Sequence, residues 1–215
     1  MNERGIGAIT TQALSRMPYY IQQLKVLREQ GNEMVSAPKV AELLGLNEVQ
    51  VRKDFAAVYV AKGKPKTGFL IEELLSSMED LLGYHNAEDA VIVGTGPLSL
   101  AIMSHEGFRD YGLKIVAAFQ TDSVPDHSEI NGIKVLSTDK ISNLCRRMKI
   151  HIGIITVPAA KAQTVCDQLV AGGVLAIWNF APVHLSVPEH ILVQNENLAA
   201  SLAVLSNHLR QSLRS

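Results

Sequence analysis

The chain has 215 residues, 47% hydrophobic and 19% charged, with a formal net charge of -1; that is enough to bury a sizeable core in one or two domains of ordinary globular composition. No apolar run approaches the ~20 residues of a membrane span, and Met1 to Gly7 lacks the apolar stretch of a secretory signal, so no membrane partner and a cytoplasmic location are expected. Cys145 and Cys166 stand apart, which excludes a disulfide framework, and no metal spacing links His151, His184 and His190.

Charge is unevenly distributed. Residues 1–68 carry ten Lys/Arg against six acids, a balance of +4 that leaves about -5 on the remainder. A basic end on an acidic body suits local phosphate contact better than general adhesion to nucleic acid.

A first helix is predicted from Pro18 to Glu29, with Tyr20, Ile21, Leu24 and Leu27 at helical spacing and Gly31 as its stop. Ser36 is a good N-cap for a second, with Pro38 just inside, Val40, Leu43 and Leu44 facing inward, and Gly45 closing it. Asn47 then caps a third helix whose Val51, Phe55 and Val58 face the core. Val49, Lys53, Ala56 and Ala57 face away, with Gln50 and Arg52 on the flanks. Helix, glycine turn, basic helix is the order that places a helix in the major groove. Small Ala56 and Ala57 permit close approach, Gln50 suits an adenine edge, and Arg52 or Lys53 suits guanine or phosphate. Lys62-Gly-Lys-Pro-Lys-Thr-Gly68 reads as a basic hairpin, a wing presenting Lys62, Lys64 and Lys66 to the backbone. The same pattern also describes a plain three-helix bundle with a solvated basic face.

An acidic amphipathic helix from Leu70 to Gly83 connects to the second part. Strands are predicted at Ala90–Gly94, Lys114–Phe119, Ile133–Leu136, Ile152–Val157 and Val174–Trp178, with helices near 98–106, 138–148 and 159–171. Alternating β and α segments imply an α/β fold with a doubly wound, parallel, Rossmann-like sheet. A last amphipathic helix, Leu198 to Leu213, lines up Leu198, Leu202, Leu205 and Leu209 and suits packing on its own domain or a partner's. The expected domains are a winged helix-turn-helix (α+β) over 1–84, the Rossmann-like unit over 85–195 and a dimerisation helix over 196–215.

Ala90-Val-Ile-Val-Gly-Thr-Gly-Pro-Leu-Ser99 runs a strand into a Gly-x-Gly turn and then a helix, the arrangement that cradles a pyrophosphate. Ser99 stands where the third glycine is usual, and Gln120 stands at the end of the next strand, where an acid normally accepts from the adenosine ribose. Asp122, two residues on, is the candidate substitute. Taken alone, the motif describes a nucleotide cradle and a tight strand-helix turn equally well.

Six collinear segments resemble the Rex family of bacterial redox-sensing transcriptional repressors: Ser15 to Tyr20, Val49 to Asp54, Val93 to Leu98, Val116 to Phe119, Val157 to Gln163, and Trp178 to Val183 with Val187 to Glu189. The resemblance covers nearly the whole chain. It implies a homodimer of winged-helix and Rossmann subunits with exchanged C-terminal helices, which binds palindromic operator DNA and lets go when NADH replaces NAD+. It further implies that Arg16, Ser36, Gln50, Arg52, Lys53, Lys62, Lys64 and Lys66 hold DNA. Gly94, Thr95, Gly96, Pro97, Leu98 and Gln120 would hold the adenosine and pyrophosphate, with Thr156, Val157, Pro158, Asn179 and Pro182 toward the nicotinamide.

The chain departs from that pattern at Ser99, at Gln120, at His105 in place of a ring-sensing Tyr, at Asn197 in place of an acid that pairs with the arginine matching Arg16, and at Leu198 in place of an aromatic. The wing lacks the family's usual Gly-Lys-Arg-Gly run. These departures describe a divergent paralogue that senses NAD(H), another adenine nucleotide such as NADPH, or no redox state. His105, Asn197 and Leu198 are its candidate switch positions. Two other classes remain: a small nicotinamide-dependent oxidoreductase, for which no Tyr-x-x-x-Lys or His–Asp pair is present, and a DNA-binding scaffold whose Rossmann unit only dimerises.

Overall fold

A computed structural model describes residues 9–59, 68–85, 88–105, 107–121 and 128–213, and the chain divides into two units, Met1–Asn86 and Ala87–Ser215. In the first, α1 runs Thr11–Glu29 and so begins ahead of the predicted Pro18. The Thr10 hydroxyl caps it by accepting from the Ala13 N–H at 3.2 Å. Ala13 and Met17 extend the buried stripe of Tyr20, Ile21, Leu24 and Leu27, so packing carries the helix through a proline that usually marks a first turn.

Next come β1 (Met34–Val35) and α2 (Ala37–Leu44), whose N-cap Ser36 accepts from the Lys39 N–H at 3.4 Å. Gly45 ends α2 at φ 63°, the left-handed conformation that turns the chain toward α3 (Glu48–Val58). Asn47 Oδ1 caps α3 by accepting from the N–H groups of Val49 (2.9 Å) and Gln50 (3.3 Å). Leu43, expected to face inward, is 43% exposed, because the buried stripe of α2 is Ala37, Val40 and Ala41 and position 43 falls off that face.

β2 (Phe69–Leu70) pairs antiparallel with β1 and leads into α4 (Ile71–Leu81), which buries Ile71, Leu74, Leu75 and Met78. Edge-to-face rings join three of these elements: Tyr20 to Phe55 at 5.4 Å and Phe55 to Phe69 at 5.3 Å. The wing lysines Lys62, Lys64 and Lys66 lie outside the described residues.

The second unit is built on a seven-stranded sheet of order β5-β6-β4-β3-β7-β8-β9. Its strands are β3 (Glu88–Val93), β4 (Leu113–Gln120), β5 (Glu129–Ile130), β6 (Ile133–Ser137), β7 (Ile152–Ile155), β8 (Ala176–Asn179) and β9 (Leu192–Asn195). All pairings are parallel except β5 with β6. Without the antiparallel edge strand, this is the doubly wound dinucleotide-binding order, with its switch point between β3 and β7. The predicted strands for β3, β4, β6, β7 and β8 are present, while β5 and β9 were not predicted; both are short and carry exposed positions, so neither shows a continuous apolar run.

Successive β3 residues serve opposite faces. Val91 and Val93 pack with α7 (Ile141–Met148) and α8 (Ala159–Ala171), and Ile92 packs with Ile102 of α5 (Pro97–Ser104) and Phe108 of α6 (Gly107–Asp110). Cys145 and Cys166 are fully buried between the two covering helices, and burial pushes both thiols up to about 11, which removes them from thiolate chemistry. The last helix, α9 (Leu198–Ser212), begins at Asn197, whose side chain accepts from the Ala200 N–H at 2.9 Å.

Candidate nucleotide cleft and nucleic-acid interface

Strand register brings the predicted nucleotide residues to one edge of the sheet. Val93 pairs with Phe119 on one side and with Ile155 on the other, and Ile155 pairs with Asn179. Gly94, Gln120 and Thr156 therefore stand one residue beyond a common row, at the carboxyl ends where ligands of such sheets bind.

Gly94 has φ +123°, and a Cβ there would overlap the Thr156 hydroxyl and stand 3.2 Å from Ser99 Oγ. Only glycine fits that turn. Gly96 has nothing within 4 Å of a would-be Cβ, and Gly96, Pro97 and Leu98 are exposed at the start of α5, which has no side-chain cap. The first N–H groups of α5 are thus available to an anion from outside the helix.

Ser99 is fully buried, with Oγ 2.7 Å from Thr156 Oγ1. Thr156 Oγ1 in turn donates to the Val93 carbonyl at 2.9 Å, so the proton between the two hydroxyls comes from Ser99. Helix, turn and strand are tied by this two-step relay where a third glycine would let them simply touch. Thr95 Oγ1 lies 3.4 Å from Gln120 Oε1, bringing the turn to the end of β4. Asp122 lies outside the described residues.

The residues expected near the nicotinamide divide into two groups. Pro158 and Pro182 are exposed. Val157 and Asn179 are buried, and the Asn179 amide is spent internally: Nδ2 donates to Val183 O (2.9 Å) and Asn195 Oδ1 (2.8 Å), and Oδ1 accepts from Ala181 N (3.0 Å). Asn179 therefore shapes the Phe180-Ala-Pro-Val183 loop and does not offer a free amide. His105 is exposed and meets Phe108 edge-to-face at 4.8 Å, the first of a run that continues to Trp178 at 5.7 Å and Phe180 at 4.8 Å. Trp178 Nε1 donates to Glu196 Oε1 at 3.1 Å, so the acid beside Asn197 is held within its own unit.

In the first unit, α3 exposes Val49, Gln50, Arg52, Lys53, Ala56 and Ala57. Arg52 is paired with Glu48 one turn back. Sequence reasoning missed what Asp54 does. It is 3% exposed and receives Arg16 Nε at 2.8 Å, Arg16 Nη2 at 3.1 Å, Tyr20 Oη at 2.8 Å and Gln50 Nε2 at 2.9 Å. Burial raises the pKa of a carboxyl, but the hydrogen bonds from Arg16, Tyr20 and Gln50 outweigh it here and hold Asp54 below its ordinary value. Burial and this carboxylate push the Tyr20 phenol up to about 12. Arg16, expected at DNA from the family resemblance, and Gln50, expected there also from its place on the helix, are thus first of all the ligands of a buried anion. The available signal was Asp54 itself, an acid one position before Phe55 on the apolar side of the helix.

Comparisons with known proteins cover both units. A family profile described as putative DNA-binding protein N-terminus matches residues 8–56, and one described as CoA binding domain matches residues 85–183. The redox-sensing transcriptional repressor Rex of Bacteroides fragilis is 36% identical over 91% of this chain and 89% of its own length. That of Carboxydothermus hydrogenoformans is 37% identical over 92% and 95%. Among solved structures, the Rex-family repressor RSP in complex with β-NAD+ and operator DNA aligns with a TM-score of 0.88 at 28% identity, covering 96% of this chain and 94% of that one.

Proposed function

This chain belongs to the Rex family of redox-sensing transcriptional repressors, and from that premise we propose that it works as a homodimer that binds palindromic operator DNA under the control of a nicotinamide adenine dinucleotide. The family is one of regulators, which removes the oxidoreductase alternative. The observation that carries the nucleotide reading is the Gly94 turn, closed against Thr156 and followed by an uncapped helix start at the switch point of the sheet. Gly94, Thr95, Gly96, Pro97 and Leu98 would receive the pyrophosphate, and Gln120 the adenosine ribose. The ligand supplies a change of one positive charge and of ring planarity at its nicotinamide end.

One observation favours the dimer. Every described side chain of α9 from Ala199 to Ser212 is exposed, as is its C-cap Leu213, with Leu202, Leu205 and Leu209 between 59% and 65%. An apolar stripe of that length is stable in water when a second surface covers it, and a second copy of this chain is the occupant the family supplies. Operator contact falls to Lys53 and Arg52 on α3, with the wing lysines Lys62, Lys64 and Lys66 and the helix-start Ser36, while Ala56 and Ala57 let the helix lie close to the duplex. A ligand that binds two subunit arrangements unequally shifts their populations, and with them the spacing of the two α3 helices.

The test is fluorescence anisotropy with an operator recovered from genomic fragments by in vitro selection, titrated with NAD+ and NADH alongside sedimentation of the free protein. A dimer released from DNA by one redox form and not the other supports the reading. A monomer, or operator binding indifferent to both forms, overturns it.

A further inference from the structure

The described side chains of α9 are exposed, and none belongs to a core cluster of its own unit. What ties this helix to the sheet is its root, the stretch from Asn195 to Asn197 that leads out of β9. The root is held to the end of β8. The Glu196 N–H donates to the Asn179 carbonyl at 2.8 Å, and Asn179 Nδ2 donates to Asn195 Oδ1 at 2.8 Å. The Glu196 side chain adds a third link, because its Oε1 accepts from Trp178 Nε1 at 3.1 Å and from Gln194 Nε2 at 3.3 Å. Trp178 in turn belongs to a ring layer. It meets Phe108 of α6 edge-to-face at 5.7 Å and Phe180 at 4.8 Å, and these rings pack with Ile102 of α5. α5 is the helix that starts at the Gly94-Thr-Gly96 turn, and Phe180 opens the loop to Pro182, expected toward the nicotinamide. One packed series of side chains therefore runs from the pyrophosphate helix to the residue directly before the N-cap of α9.

We propose that Glu196 is the positioning residue through which the state of the nucleotide cleft sets the direction of α9, by way of its hydrogen bond from Trp178. The inference rests on the nucleotide-cleft and dimer readings above and names the contact that joins them. Glu196 is half-buried and its bond from the indole is charge-assisted, so a small turn of the ring weakens a strong and directional contact. A tilt at the root is magnified along the 15 residues of α9, about 22 Å of helix. The far end of the dimer helix thus moves further than the ring that starts the motion.

The test compares operator affinity in NAD+ and in NADH by fluorescence anisotropy, with calorimetric NADH affinity and sedimentation measured on the same samples. Glu196→Ala is expected to stay dimeric and to bind NADH within about twofold of the parent. The ratio of its operator affinities in the two redox forms is expected to fall by about tenfold, the scale of one hydrogen bond to a charged group. Glu196→Gln keeps an acceptor and restores most of the ratio. Trp178→Phe keeps a ring without the N–H and reproduces Glu196→Ala, and the double variant loses no more than either single. A parental ratio in Glu196→Ala overturns the assignment and leaves the cleft standing. So does a loss of NADH binding or of the dimer that matches the loss of the ratio, since Glu196 is then only structural. A parent chain whose operator affinity is the same in both redox forms overturns the regulatory reading and the assignment together.

Discussion

Arg16 of α1 grips Asp54 of α3 with two nitrogens, Nε at 2.8 Å and Nη2 at 3.1 Å, and the Tyr20 hydroxyl completes the cage from one turn further along α1. The supporting helix thereby sets the rotation of the helix whose outer face carries Lys53. Asp54 also draws in Gln50, leaving Val49, Lys53, Ala56 and Ala57 as the outward stripe.

Replacing Asp54 by Asn leaves Arg16 half-buried without its anion, and we expect a loss of about 3–5 kcal/mol from the first unit. The sole tryptophan, Trp178, belongs to the second unit. Urea unfolding followed by circular dichroism should therefore gain an early transition while the Trp178 fluorescence transition stays in place. Coincident early transitions by both probes would show that Asp54 stabilises more than its own unit.

The same pair predicts an acid limb. Asp54 titrates lower in the folded chain than its ordinary 3.8, so its contribution is complete above that value and is lost as pH falls through the lower folded-state pKa. Helical signal at low pH should therefore drop more steeply for the parent chain than for Asp54→Asn. Equal acid slopes would remove Asp54 from the account of acid stability.

Thr156→Val deletes the acceptor of the buried Ser99 hydroxyl and should cost about 1–3 kcal/mol. In Ser99→Gly with Thr156→Val the orphaned hydroxyl is gone, and part of the loss should return in the Trp178 unfolding curve. A double variant as unstable as the sum of the two singles would mean the hydroxyls do not act through each other.

Lys53→Ala should weaken operator binding and reduce the slope of log affinity against log salt by about one for each phosphate left without its cation. Arg52→Ala should do less, since Arg52 is paired with Glu48. An unchanged slope in Lys53→Ala would move the recognition face elsewhere on α3.

Leu205→Asp with Leu209→Asp places two charges on the exposed apolar stripe of α9. We expect sedimentation to report a monomer whose Trp178 fluorescence is native, because those side chains are not part of their own unit's core. A dimer that survives both substitutions would place the subunit interface away from α9.

Periodicity and capping residues made most of the elements legible from the chain alone. Ser36, Gly45 and Asn47 marked the helix-turn-helix because a cap or a left-handed turn depends on residues within a few positions of each other. The Gly94-Thr-Gly96 turn and the alternating buried strands were readable for the same reason. What the tertiary structure decided were pairings between residues distant in sequence: Arg16 with Asp54, Ser99 with Thr156, Trp178 with Glu196. These depend on which strands lie side by side and which helix faces meet. Polar partners across such separations leave no periodic trace, and so Asp54 reads in sequence as one more charge on a helix although the fold makes it the anion at its centre.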